Sequence, residues 1–142
     1  MKILVAILVF ALSGATWLQP HAEAGHVTKC FGATPDQNRS HDPGGSFLVL
    51  TDGHDVVIGS EFGDHIEGRG GRDFICGIGG QDELLGGRRA DKLSGGRGAD
   101  DIFGGRGNDI LKGGSGTDHG SGGPGWDICV SIEVRKSCEE VR

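Results

Sequence analysis

The chain has 142 residues and a net charge of −6 at neutral pH; 29 of its residues are glycine and none is tyrosine. Glycine adds no side chain to a core and loses the most backbone entropy on folding, so a thick conventional core is excluded. The acidic balance disfavours a nucleic-acid partner, because nucleic-acid binding relies on clustered basic charge.

Residues 1–24 have the features of a secretory signal peptide. The segment starts with the basic Met1-Lys2, continues with apolar residues over 3–12 and ends in an Ala-Glu-Ala site at 22–24. The apolar run is shorter than the about 20 residues that span a bilayer, so a membrane anchor is disfavoured. We predict cleavage after Ala24 and a secreted mature chain without a membrane span.

Two segments without a clear repeat flank the rest of the chain. Residues 25–49 are polar and rich in turn-forming residues, apart from a short predicted strand that begins at Phe47. Residues 131–142 contain no glycine and are predicted to form a short strand with a charged tail. We expect these segments to be N- and C-terminal caps, because the end layers of a solenoid need cover.

Residues 50–130 repeat with a period of nine. Aspartates recur at position six of each unit, and position eight is mostly apolar. We expect positions one to six of each unit to form a loop and positions seven to nine to form a strand. Alternate side chains of a strand point to opposite faces, so position eight should face inward. The nine aspartates are Asp55, Asp64, Asp73, Asp82, Asp91, Asp100, Asp109, Asp118 and Asp127.

Glycines repeat in the same frame. The last four units read GGRGAD at 95–100, GGRGND at 104–109, GGSGTD at 113–118 and GGPGWD at 122–127. Earlier units deviate: Phe62 stands where position four should be glycine, and Arg89 stands at position four of its unit, where we expect a positive φ. A side chain at such a position costs of order 1 kcal/mol.

This repeat resembles the calcium-binding nonapeptide of RTX proteins, G-G-x-G-x-D-x-U-x. Roughly residues 25–138 are similar to small secreted calcium-binding RTX-like proteins of bacteria, which share the break Ile75-Cys76-Gly77 and a terminal Cys-x8-Cys segment. The resemblance implies an all-β fold, a parallel β-roll of nonapeptide repeats with disulfide-containing caps. It also implies that two nonapeptides make one coil, so that units 18 residues apart stack and the inward residues form two walls.

The resemblance further implies Ca²⁺ as the cofactor, with several ions between stacked loops. Each ion would take one aspartate carboxylate from each of two loops, together with backbone carbonyls. The best-formed pairs are Asp100/Asp118 and Asp109/Asp127, whereas the pairs of Asp55 and Asp64 are weakest, because Phe62 disturbs the first turns. The predicted metal-binding residues are Asp73, Asp82, Asp91, Asp100, Asp109, Asp118, Asp127, Gly95, Gly96, Gly98, Gly104, Gly105, Gly107, Gly113, Gly114 and Gly116.

Four cysteines in a secreted chain predict two disulfides, for which three pairings exist. Cys30 lies in the N-terminal segment and Cys76 closes a repeat, whereas Cys129 and Cys138 lie one repeat length apart near the C-terminus. We favour Cys30–Cys76 and Cys129–Cys138, and expect the second bridge to place Cys138 above Gly120. A zinc site is disfavoured, because no Cys-x-x-Cys pair exists.

No motif of a catalytic site occurs, so we predict that the protein is not an enzyme. The predicted function is that of a secreted calcium-binding repeat protein that folds on binding Ca²⁺ and has a structural or adhesive extracellular role. The alternative is a non-catalytic accessory module of a secreted hydrolase or toxin system that acts with a separate chain.

Two surface features leave an extracellular or cell-surface partner open. An outward apolar strip of Val56, Phe74, Ile110 and Ile128 could bind a partner, although we favour cover by the caps. The second feature is a set of loop arginines, interpreted as solvated positions or as a docking strip for anionic sugars or lipids: Arg69, Arg72, Arg88, Arg89, Arg97 and Arg106.

Overall fold

The structure is a computed structural model that describes residues 30–33, 37–38 and 44–139. Regular structure in these residues is entirely β, and no helix there could cross a bilayer. The predicted signal peptide, 1–24, lies outside the described residues. The strands are β1 (Gln37–Asn38), β2 (Phe47–Val49), β3 (Val56–Ile58), β4 (His65–Glu67), β5 (Phe74–Gly79), β6 (Glu83–Arg88), β7 (Lys92–Arg97), β8 (Asp101–Arg106), β9 (Ile110–Ser115), β10 (His119–Ser121), β11 (Ile128–Val130) and β12 (Val134–Lys136).

The strands form two six-stranded parallel sheets. The first has the order β1-β3-β5-β7-β9-β11, and the second has the order β2-β4-β6-β8-β10-β12. Along the repeats, paired residues are 18 apart, as in Ile75 with Leu93 and Leu84 with Ile102. One coil therefore consists of two nonapeptides, and the predicted parallel β-roll is confirmed.

The core is a double row of side chains between the two sheets. Position eight faces inward in every unit from Val57 to Leu111, and these side chains are fully buried. Burial of each valine, leucine or isoleucine contributes about 1.5–3 kcal/mol relative to exposure. The two predicted walls are present, and the complete core cluster contains Leu50, Val57, Ile66, Ile75, Leu84, Leu93, Ile102, Leu111, Cys129 and Ile132.

The central strands are longer than the repeat pattern predicts. Each of β5 to β9 covers six residues, from position seven of one unit to position three of the next. Ile78 pairs with Gly96, and Gly79 pairs with Arg97. The expectation that positions one to six form only loop was wrong, because stacking in a constant register gives even glycine-rich positions a partner in the next coil.

The N-terminal segment contributes the end strand of each sheet. β2 pairs with β4 as a short strand, as predicted, while β1 pairs with β3 from within a stretch predicted as turns. The Cys30–Cys76 disulfide is present and belongs to a second buried cluster with Val56 and Ile58. Val56 of the predicted apolar strip is therefore covered.

The C-terminal segment closes the other end. β12 pairs with β10, and the Cys129–Cys138 disulfide is present. The expected position of Cys138 above Gly120 was wrong, since Ile132 fills that space. Its Cδ1 lies 2.6 Å from the point that a Cβ on Gly120 would occupy. The nine-residue frame ends before Ile132, which frees the chain to place a large side chain over the glycine.

Candidate metal centre

The Gly-rich loops lie along two edges of the roll. The first edge contains loops 50–55, 68–73, 86–91, 104–109 and 122–127, and the second contains loops 59–64, 77–82, 95–100 and 113–118. An aspartate ends each loop just before the next strand. All nine of these aspartates are 9% exposed or less.

The aspartates of one edge form a hydrogen-bonded ladder. The backbone N–H of each donates to the Oδ1 atom of the aspartate 18 residues later, as from Asp91 to Asp109 at 2.8 Å. Every carboxylate pair predicted from the sequence is thus brought together. The other bonds run from Asp55 to Asp73, Asp64 to Asp82, Asp73 to Asp91, Asp82 to Asp100, Asp100 to Asp118 and Asp109 to Asp127, at 2.8–3.0 Å.

Glutamates close both ladders at the C-terminal end. The carboxylate of Glu133 accepts from the N–H of Asp118 at 2.8 Å, and that of Glu139 accepts from the N–H of Asp127. In each ladder, the glutamate accepts the hydrogen bond that a further aspartate would accept if the repeat continued. Sequence reasoning missed both residues, because they lie beyond the nine-residue frame.

The second carboxylate oxygen divides the aspartates into two groups. From Asp73 onward, the Oδ2 atom is buried and has no hydrogen-bond partner among the described residues. Burial of an unpaired polar atom costs about 1–3 kcal/mol, and more when the group is charged. The seven unpartnered oxygens belong to Asp73, Asp82, Asp91, Asp100, Asp109, Asp118 and Asp127.

This burial disfavours the charged form of the carboxylates. Desolvation raises the pKa of Asp82 to about 8 and that of Asp91 to about 7. It also raises the pKa of Asp73 and of Asp109 to about 6. Hydrogen bonds from the backbone act in the opposite direction, and neighbouring aspartates of the ladder add to the increase.

Asp55 and Asp64 form the other group. The N–H and the hydroxyl of Thr51 donate to Oδ2 of Asp55 at 3.0 and 2.9 Å. The N–H and the hydroxyl of Ser60 donate in the same way to Asp64 at 2.6 and 3.2 Å. Sequence reasoning missed both partners, although a hydroxyl residue at position two, four residues before the aspartate, was a usable signal.

Glycine at position one opens the space around Oδ2. A Cβ on Gly104 would lie 2.5 Å from Oδ2 of Asp109 and 2.7 Å from the carbonyl oxygen of Gly122 in the next coil. On Gly95 it would lie 2.1 Å from Oδ2 of Asp100. Two kinds of oxygen therefore converge on a place that any larger residue would fill.

Positions two and four keep successive loops close together. A Cβ on Gly98 would lie 1.6 Å from the carbonyl oxygen of Gly80, and one on Gly116 would lie 1.7 Å from that of Gly98. Both glycines have positive φ, and so do Gly96, Gly105, Gly107 and Gly114. Arg89 has a φ of 81°, so the positive φ expected at its position is confirmed.

The donor set fits calcium. Calcium takes six to eight oxygen ligands, from carboxylates and carbonyls alike. No cluster of three or more His, Cys, Asp or Glu side chains suited to a metal occurs in the described part of the chain, so a cation here would rely on backbone carbonyls beside the aspartates. A bound cation would give the seven buried Oδ2 atoms, which have no partner among the described residues, a favourable electrostatic interaction.

Comparison with known proteins gives the family. No curated protein and no solved structure matches the chain. The family model of the RTX calcium-binding nonapeptide repeat matches four times, over residues 50–84, 77–111, 85–119 and 94–128. These matches cover more than half of the sequence and all nine aspartates. The chain belongs to the RTX calcium-binding nonapeptide repeat family.

Proposed function

We propose that the protein is a secreted calcium-binding repeat protein that folds when Ca²⁺ binds between its stacked loops and that has a structural or adhesive role outside the cell. The observation that carries this proposal is the row of seven buried carboxylate oxygens that have no hydrogen-bond partner among the described residues. They favour folding only if a cation or a proton neutralises them.

The energetics support folding coupled to calcium. Each ladder stacks negative charges along one edge, and the narrow core offers limited compensation. A ligand that binds only the folded chain stabilises it by RT ln(1 + [L]/Kd), which is about 2.7 kcal/mol per site at a hundredfold excess over Kd. Several such sites would together contribute a free energy comparable to the whole stability of a small domain, which is about 5–15 kcal/mol.

The proposed ligand residues are those of the loops with unpartnered oxygens. The aspartates would supply carboxylates, and the glycines of 95–98, 104–107 and 113–116 would leave their carbonyls uncovered. When bound, calcium supplies positive charge and links neighbouring coils. The chain itself orients each carboxylate through the N–H bond to Oδ1 and excludes water from Oδ2.

A secreted location is supported by the cysteines. Both disulfides are formed, and disulfides persist in oxidising compartments such as the periplasm and the extracellular medium. Residues 1–24 are proposed as the signal peptide that directs this export from a bacterial cell. Calcium reaches millimolar levels outside cells, which would fill the loops after export.

The test is a calcium titration of residues 25–142, with the disulfides formed. Trp126, which precedes Asp127 in the last loop, reports locally, and far-UV circular dichroism reports β structure. We expect both signals to change together in calcium, whereas magnesium has little effect because it demands tight octahedral geometry. A fully folded chain in chelator, with no response to calcium, would contradict the proposal.

A further inference from the structure

The loop arginines are distributed unequally between the two edges. Five of the six lie on the first edge, and Arg97 alone lies on the second. All five are exposed, and the only exposed carboxylate of the same loops belongs to Asp52. We call this set the arginine edge: Arg69, Arg72, Arg88, Arg89 and Arg106.

Arginines on this edge are stacked and have no acidic partner within the described ranges. Arg88 pairs in register with Arg106, so two like charges lie in neighbouring strands about 4.8 Å apart, an unfavourable arrangement by itself. None of the salt bridges between described residues includes a residue of the arginine edge. Arg97 differs, because its Nη2 atom lies 2.6 Å from Oε2 of Glu61.

An open groove of about 560 Å³ runs beside these arginines. Arg69, Arg88 and Arg106 line it together with Phe103, which is 41% exposed. Gly87, Gly105, Gly123 and Pro124 complete part of the lining, so successive coils contribute to one groove. Guanidinium groups bind carboxylate and sulfate groups through paired N–H bonds, and the ring offers an apolar face.

Calcium would change the charge of this edge, an argument that rests on the proposed function. Asp73, Asp91, Asp109 and Asp127 end the loops of the same edge and lie buried beneath its surface. Without calcium, their negative charges offset the arginines. With calcium, the buried charge is offset instead, and the surface arginines dominate the local potential.

We propose that the arginine edge binds a linear acidic polysaccharide and that calcium loading strengthens this binding. An elongated polyanion matches positive charges that repeat from coil to coil along a groove. A membrane surface fits less well, because Phe103 is the one large apolar side chain in the lining. Nucleic acid fits less well, because binding to single strands uses several aromatic stacking platforms.

The test uses dextran sulfate as the probe and unsulfated dextran as the matched neutral polymer, in calcium at fixed ionic strength. Isothermal titration compares the parent with Arg88→Gln/Arg106→Gln and with a control of equal charge change, Arg97→Gln/Lys112→Gln. We expect the first variant to lose at least tenfold in affinity and the control less than about twofold. Equal losses in both variants, or no binding of dextran sulfate by the parent, would overturn the proposal.

Further measurements distinguish a failure of this proposal from a failure of the proposed function. If the chain folds without calcium, dextran sulfate binding by the folded chain in chelator still tests the arginine edge, and only the calcium dependence fails. If the double variant does not fold, Arg106→Gln alone replaces it, with Arg97→Gln as control. Tighter binding of anionic phospholipid vesicles or of single-stranded DNA than of dextran sulfate would reject the polysaccharide assignment.

Discussion

The first two Gly-rich loops and the seven that follow differ in what surrounds the buried carboxylate of their aspartate. In the first two, the hydroxyl and the N–H of Thr51 or Ser60 bind the second oxygen of the aspartate. In the other seven, that oxygen is buried and has no partner in the part of the chain that the structure describes. Position two in those loops has positive φ, and the N–H groups of Gly105 and Gly114 at this position donate to the carbonyl oxygens of Gly122 and Ser131.

The difference indicates that different groups stabilise the two parts of the roll. The N-terminal end is completed by protein groups: hydroxyl donors, the second buried cluster and the Cys30–Cys76 disulfide. The remaining loops leave their carboxylates to a cation. We therefore expect the N-terminal end to be the less calcium-dependent part.

The largest effect is expected from the disulfides. Loss of Cys30–Cys76, which spans 46 residues, should cost about 4 kcal/mol, and loss of Cys129–Cys138, which spans 9, about 2.5 kcal/mol, from the entropy of loop closure. Urea unfolding of the paired serine variants in calcium and in chelator measures both. A larger loss for Cys129→Ser/Cys138→Ser would mean that the N-terminal end is not the better-anchored region.

The next effect compares one repeat position in the two regions. Gly98→Ala should cost about 3 kcal/mol, because its Cβ would meet the carbonyl of Gly80 at 1.6 Å and its φ is positive. Gly53→Ala, at position four of the first loop, meets only the hydroxyl of Thr51 at 3.3 Å and should cost less than about 0.5 kcal/mol. Thermal unfolding in calcium compares them, and similar losses would contradict the difference in loop stacking.

A third comparison replaces one carboxylate in each region. Asp100→Asn removes a proposed ligand, so its calcium midpoint should rise at least tenfold, about 1.4 kcal/mol, while its stability in chelator should stay equal or increase. Asp64→Asn should cost about 1–3 kcal/mol in both conditions. Its amide NH₂ would face a backbone donor in either orientation, from Ser46 at 2.5 Å or Ser60 at 2.6 Å.

Calcium titrations followed by circular dichroism measure both variants. A calcium midpoint that changes equally in Asp100→Asn and Asp64→Asn would remove the distinction between the two groups of aspartates.

The last comparison concerns pH in the calcium-free chain. Burial raises the pKa of Asp82 to about 8, of Asp91 to about 7 and of Asp73 and Asp109 to about 6, all above the unfolded value of about 3.9. Their protonated forms therefore favour the folded state. This contribution is complete below about pH 4 and is lost as the pH rises through 6–8.

Acidification from pH 8.5 to 4.5 in chelator should thus increase stability, by less than calcium does, since a proton does not link two loops. In calcium the trend should reverse, because protons compete for the carboxylates. The β signal in circular dichroism at both pH values measures this, and a smaller folded fraction at pH 4.5 than at pH 8.5 in chelator would contradict the assigned pKa shifts.

Much of the roll could be predicted because its period is strict. Alternate side chains of a strand face opposite sides, and in a nine-residue repeat this alternation predicts the inward row from Val57 to Leu111. The resemblance to RTX repeats predicts that units 18 residues apart stack on one another. The six-residue strands could not be predicted, since ladder pairing at positions one to three comes from stacking and not from local propensity. The positions of Ile132 above Gly120 and of the glutamates at the ends of the ladders could not be predicted either, because these residues lie outside the nine-residue frame.

Amide hydrogen exchange followed by mass spectrometry, with and without calcium, tests most directly whether calcium completes the later loops. We expect peptides from 82–127 to be protected strongly only in calcium, with the N–H groups of the aspartate ladder among them. Peptides from 47–67 should retain more protection in chelator. Equal protection of both regions without calcium would contradict the claim that the unpartnered carboxylates need a cation.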